Sequence, residues 1–67
     1  MSSIYAMQTA VLAMAGRIEE SKSLARRLLE LEPGFRVRRF VEFFVPFARP
    51  EIVDAFAQGL RESGLLE

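Results

Sequence analysis

The sequence predicts an all-α fold, a helix–turn–helix followed by a short helix and a C-terminal capping helix. Three observations carry the prediction. Gly16, Pro33-Gly34, Pro50 and Gly64 cut the chain into pieces of helical length. Within most pieces the apolar residues recur at helical spacing. The one stretch that also alternates like a strand has no second strand to pair with.

Residues 4 to 15 (IYAMQTAVLAMA) form the first helix, with Ser2 or Ser3 placed to cap it. The run holds no glycine, proline or charge, and alanine, leucine and methionine are strong helix formers. Gly16 should stop it in the left-handed conformation that only glycine adopts freely. Residues 18 to 31 form the second helix. Glu19 and Glu20 sit in its first turn, where the helix dipole favours negative charge. Ile18, Ser21, Ala25, Leu28 and Leu29 share its inner face, while Arg26, Arg27 and Glu30 face water. Pro33 disfavours helix at Glu32 and ends the element.

Residues 35 to 47 fit two patterns. Val37, Phe40, Val41 and Phe44 lie on one helical face, yet Phe35, Val37, Val41, Phe43, Val45 and Phe47 also alternate. For want of a partner strand, a short helix over about 37 to 44 is expected. Pro50 opens the last helix at a position where its missing N–H costs nothing. Glu51 and Asp54 are expected in its first turn, where the helix dipole favours negative charge, and Ile52, Val53, Phe56, Ala57 and Leu60 make its apolar face. Gly59 weakens this helix by ~1 kcal/mol against alanine, and suits close contact with another helix. Gly64 ends it, and Leu65 and Leu66 are placed to fold back.

With 67 residues the chain is one compact domain, a hairpin over 1–34 and capping helices over 35–67. A core of this size rarely supplies more than ~3–5 kcal/mol, so a staple, a metal or a partner is usual. Cysteine and histidine are both missing. That removes disulfides, thiolate metal sites, the commonest metal ligand and the commonest general base. No catalytic, cofactor-binding or metal-ligating set is found. Glu19 with Glu20, and Glu51 with Asp54, are better read as helix N-termini than as paired catalytic carboxylates. Association is the remaining route to stability, and 51% hydrophobic residues is a high share for so short a chain.

The absence of cysteine fits a cytoplasmic protein. No basic residue precedes the apolar run 4–15, so a secretory leader is not expected, and the run is too short to span a bilayer. Formal net charge is zero, which argues against nucleic acid as a partner.

Residues 3 to 34 resemble one tetratricopeptide repeat, a helix–turn–helix of about 34 residues closed by proline. Tyr5 stands where the family prefers an early aromatic, Thr9 where it prefers a small residue, and Gly16 at the inter-helix glycine. Ile18 and Glu20 match the opening of the second helix. Leu29, Leu31, Glu32 and Pro33 match its closing pattern. Gln8, Leu12, Ser21 and the order of Ala25 and Leu28 depart from the family. The second half is similar to tails that close such arrays behind bacterial nucleotide-cyclase and other regulatory domains. Its resembling elements are Pro33-Gly34-Phe35, Pro46-Phe47, Arg49-Pro50-Glu51, Gly59-Leu60-Arg61 and Gly64-Leu65. The resemblance implies the non-catalytic end of a repeat array in a larger bacterial regulatory protein.

The uncharged first helix is the most informative feature. Three other helices can hardly cover every side of it. One side is therefore expected to meet another protein helix, through Ile4, Met7, Val11 and Met14, with Phe43, Phe44 and Phe47 added from the tail. The partner is an upstream repeat or a second copy, most simply in a two-fold homodimer. Two alternatives stand beside this. One is a small helical nucleic-acid-binding domain using Arg36, Arg38 and Arg39, with stacking from Phe35 and Phe40. The other is a stand-alone structural dimer.

Overall fold

A computed structural model describes residues 2–67. Among them lie four helices: α1 (Ser2–Met14), α2 (Ile18–Leu31), α3 (Val37–Phe44) and α4 (Pro50–Glu62). No strand occurs among the described residues. The all-α expectation holds, and the ambiguous stretch is helical over the expected residues. Two details differ. Ser2 and Ser3 lie inside the first turn of α1, not before it. In α4 Glu51 lies in the first turn and Asp54 beyond it.

Helix α1 is central, with α2 on one flank and α4 on the other, and α3 packs on α4. The buried cluster joins Ala6, Ala10, Ala25, Leu28, Phe35, Val37, Ala57, Leu60 and Leu65. Leu28, Leu60 and Val37 are its largest fully buried side chains. Each such side chain contributes roughly 1.5–3 kcal/mol. The alanines of the cluster add less area but let the helix axes come close.

Two helices end in the same way. At the end of α1, Gly16 N–H donates to the Ala13 carbonyl at 3.0 Å and Arg17 N–H to the Leu12 carbonyl at 2.9 Å. At the end of α4, Gly64 N–H donates to the Arg61 carbonyl at 3.0 Å and Leu65 N–H to the Leu60 carbonyl at 3.2 Å. These are the paired bonds of the Schellman motif, which satisfy carbonyls that the helix itself leaves open. The motif needs a left-handed residue, and φ is +81° at Gly16 and +94° at Gly64. A Cβ at Gly16 would meet nothing within 4 Å, so a substitution there is penalised through the backbone alone. Gly16→Val is expected to cost ~1–2 kcal/mol. A thermal melt followed by circular dichroism checks this, and an unchanged curve would show that the turn tolerates other conformations.

The chain end folds back as expected for Leu65, which is buried, but not for the side chain of Leu66, which is 63% exposed. Leu66 serves through its backbone. Its carbonyl accepts from Val37 N–H at 2.8 Å, and that of Glu67 accepts from Arg38 N–H at 3.0 Å. Helix α3 has no side-chain cap, so residues 66–67 supply the acceptors that its first turn lacks. The Arg61 guanidinium holds the Glu67 carboxylate from outside, Nη2 at 3.3 Å. This hydrogen bond keeps the Glu67 carboxyl below the usual carboxylate range.

A buried polar contact ties α2 to the end of α4. Ser21 Oγ lies 2.7 Å from the Ile18 carbonyl, and Ser63 Oγ lies 3.0 Å from Ser21 Oγ and 2.8 Å from the Gly59 carbonyl. Each hydroxyl has a single proton for these three contacts, so not all of them are hydrogen bonds at any instant. In Ser63→Ala, Ser21 keeps its bond to the Ile18 carbonyl and no buried donor is orphaned. The expected loss is therefore that of one net hydrogen bond, ~1 kcal/mol. For a domain this small that lowers the melting temperature by roughly 4–8 °C, and a drop above twice that would mean the site also governs packing.

Candidate protein-contact surface

Helix α1 buries its small residues and exposes its large ones. Ala6, Thr9, Ala10 and Ala13 are buried, while Ile4, Met7, Val11 and Met14 are 54, 40, 52 and 52% exposed. The reason lies in α4. A Cβ built on Gly59 would fall 2.9 Å from the Ala10 carbonyl oxygen and 3.3 Å from Ala10 Cα. Backbones this close leave room only for alanine between them. Thr9 fits because its hydroxyl donates to the Tyr5 carbonyl at 2.7 Å within the same helix, leaving an apolar methyl to pack. The large side chains have no place inside and point outward.

The exposed ridge is flanked by a cleft on each side. Between α1 and α2 lies an apolar groove of about 430 Å³, lined by Met7, Gln8, Val11, Leu12 and Leu24. On the other side Ser3 and Ala6 form one wall of a cleft of about 360 Å³. Its other wall comes from Glu32, Phe35, Arg36, Arg39, Phe40 and Phe43. The phenylalanines form a continuous series. Ring centroids are 6.2 Å apart for Phe35 and Phe40, 4.7 Å for Phe40 and Phe44, 5.0 Å for Phe43 and Phe44, and 6.2 Å for Phe43 and Phe47.

Of the residues expected to make contact, Ile4, Met7, Val11, Met14, Phe43 and Phe47 are therefore exposed, the last two by 63 and 77%. Phe44 is half-buried between Phe40 and Phe43. Leu31, Val45 and Ile52 are 55, 58 and 47% exposed, which their spacing in the sequence does not predict. Ile52 lies on the apolar arc of α4, but only Val53, Ala57 and Leu60 of that arc are fully buried.

Arg36, Arg38 and Arg39 are exposed, and Arg36 donates to the Phe35 carbonyl at 3.1 Å. The Glu19 and Glu20 carboxylates are exposed and lie beside Lys22 and Arg17 respectively. Among the described residues no three His, Cys, Asp or Glu side chains gather as a metal site. No buried side-chain nitrogen or oxygen lacks a hydrogen-bond partner among them, so no orphaned polar group points to a ligand. No described helix is long and apolar enough to cross a membrane. No family model, curated protein or solved structure matches the chain.

Proposed function

We propose that the chain is a non-catalytic protein-interaction and oligomerisation module that closes a tetratricopeptide-type helical array in a larger bacterial regulatory protein of the cytoplasm. One observation carries the reading, the exposed apolar ridge of α1 between two clefts. Its large apolar side chains stand about half out of water on a helix without a single charge. A patch of this kind is comparable with the largest that a soluble monomer exposes, and such patches are often functional contacts. In a repeat array each unit buries its apolar face on its neighbour, and α4 already covers the inner side of α1. The outer side is left for a protein helix. Nucleic acid is not the proposed partner, because exposed arginines in a chain of zero net charge lack the basic excess that phosphate binding uses.

The test is light scattering coupled to gel filtration over a concentration series. Association is expected for the native chain and its loss for Val11→Glu, while the same change at Arg27, on the outer face of α2, leaves association intact. Association that all three chains share, or none at any concentration, would overturn the reading.

A further inference from the structure

We infer that, where no preceding repeat covers it, the ridge of α1 receives α1 of a second copy, the two running antiparallel about a two-fold axis. This rests on the contact-surface reading and adds its occupant and geometry.

The spacing of the ridge is the first argument. Positions 4, 7, 11 and 14 are separated by three, four and three residues. This is the 3.5-residue repeat of a helix–helix seam, with β-branched Ile4 and Val11 in one class of position and Met7 and Met14 in the other. The set is also symmetric about residue 9. When two such helices run antiparallel, Ile4 faces Met14 of the second copy and Val11 faces Met7 of the second copy. Every layer then sets a stiff branched side chain against a flexible one that fills the remaining space. A parallel pair would set like against like in each layer.

Electrostatics selects the same orientation. Helix α1 carries no acidic residue in its first turn and no basic residue in its last, so nothing in the helix offsets its dipole. Antiparallel pairing places the positive end of each helix beside the negative end of the other.

Area is the third argument. The four ridge residues are each about half exposed, which offers only about half of the ~800 Å² that each partner gives to a standard interface. The shortfall has a source in the same geometry. Phe43 borders the same cleft as Ser3, at the N-terminal end of α1. In the antiparallel pair that end adjoins the C-terminal end of the other α1. Phe43 and Phe47 are thereby brought against Met14 and Ala15 of the second copy, once at each end of the seam.

The chain has no cysteine, so single-cysteine variants report geometry directly. Ile4→Cys and Met14→Cys change exposed positions, and circular dichroism confirms that each folds. In an antiparallel pair of Ile4→Cys chains the two introduced thiols stand ~15 Å apart along the seam, ten residues of helical rise. Pairing Ile4→Cys with Met14→Cys instead sets the two thiols side by side. Under mild oxidation each variant alone is expected to stay mostly unlinked. An equimolar mixture is expected to give the mixed 4–14 disulfide as its main product, and Val11→Glu in both variants is expected to abolish it. Efficient 4–4 and 14–14 disulfides would overturn the antiparallel pair. Assembly that Val11→Glu abolishes, with no 4–14 product, would remove this inference and leave the contact-surface reading standing. A chain monomeric at every concentration would remove both.

Discussion

Gly59→Ala is expected to lower the melting temperature, although alanine is the better helix former. Two effects oppose each other. In a helix interior the exchange gains ~1 kcal/mol of propensity. Here the new methyl would meet the Ala10 carbonyl oxygen at 2.9 Å, Ala10 Cα at 3.3 Å and Ala13 Cβ at 3.4 Å. The first two are backbone atoms and cannot rotate aside, so α1 and α4 must separate. Overpacking of this kind costs ~1–3 kcal/mol directly. Separation also loosens the contact around Leu60 and Ala57, so the net effect is destabilising by about 1–2 kcal/mol. Gly59→Val adds two further methyls at the same contact. Its cost should approach the ~3–5 kcal/mol that a core of this size supplies. The valine variant is therefore expected to be largely unfolded at room temperature by circular dichroism. An alanine variant that melts at or above the native temperature would show that the two helices separate without penalty.

Removal of residues 65–67 is expected to cost about as much. Burial of Leu65 contributes roughly 1.5–3 kcal/mol. The carbonyls of Leu66 and Glu67 hold the first two N–H groups of α3, each bond worth ~0.5–1.5 kcal/mol. Helix α3 has only 8 residues, too few to persist without tertiary support. Its first turn should fray, releasing the phenylalanine series. Hydrogen exchange reads this locally. Protection at the Val37 and Arg38 amides should disappear first, and the whole chain should melt at least ~10 °C lower, as follows from the lower bounds, which together make ~2.5 kcal/mol in a domain of this size. Unchanged protection at those two amides would show that α3 is held by its side chains alone.

The same contacts mark where reading the sequence works. Gly16, Pro50 and Gly64 act through backbone conformation within a few residues, so the ends of the helices are visible in the chain itself. The face of α2 is visible too, because Arg26, Arg27 and Glu30 cannot be buried cheaply and so leave one side for Ser21, Ala25 and Leu28. Ile4, Met7, Val11 and Met14, expected on the outside of α1, are exposed, although nothing local in that uncharged helix marks which face is the outer one.

Other features have no local signal. The bond between Ser21 and Ser63 spans 42 residues; Ser21 is legible as a residue of the inner face of α2, but nothing near it marks Ser63 as its partner. The acceptors for α3 are backbone carbonyls, which carry no mark in the sequence. Half-burial of Phe44 depends on the rings of Phe40 and Phe43. In α1 every position from Ile4 to Ala15 is uncharged, so hydrophobicity alone chooses no inner face. Shape chooses it. Gly59 lets the backbone of α4 reach Ala10, and at that distance only the alanine side of α1 fits. Local propensity and charge thus set which residues are helical and where each helix stops. Close packing between segments far apart in the chain sets which apolar face α1 keeps inside and which it leaves exposed.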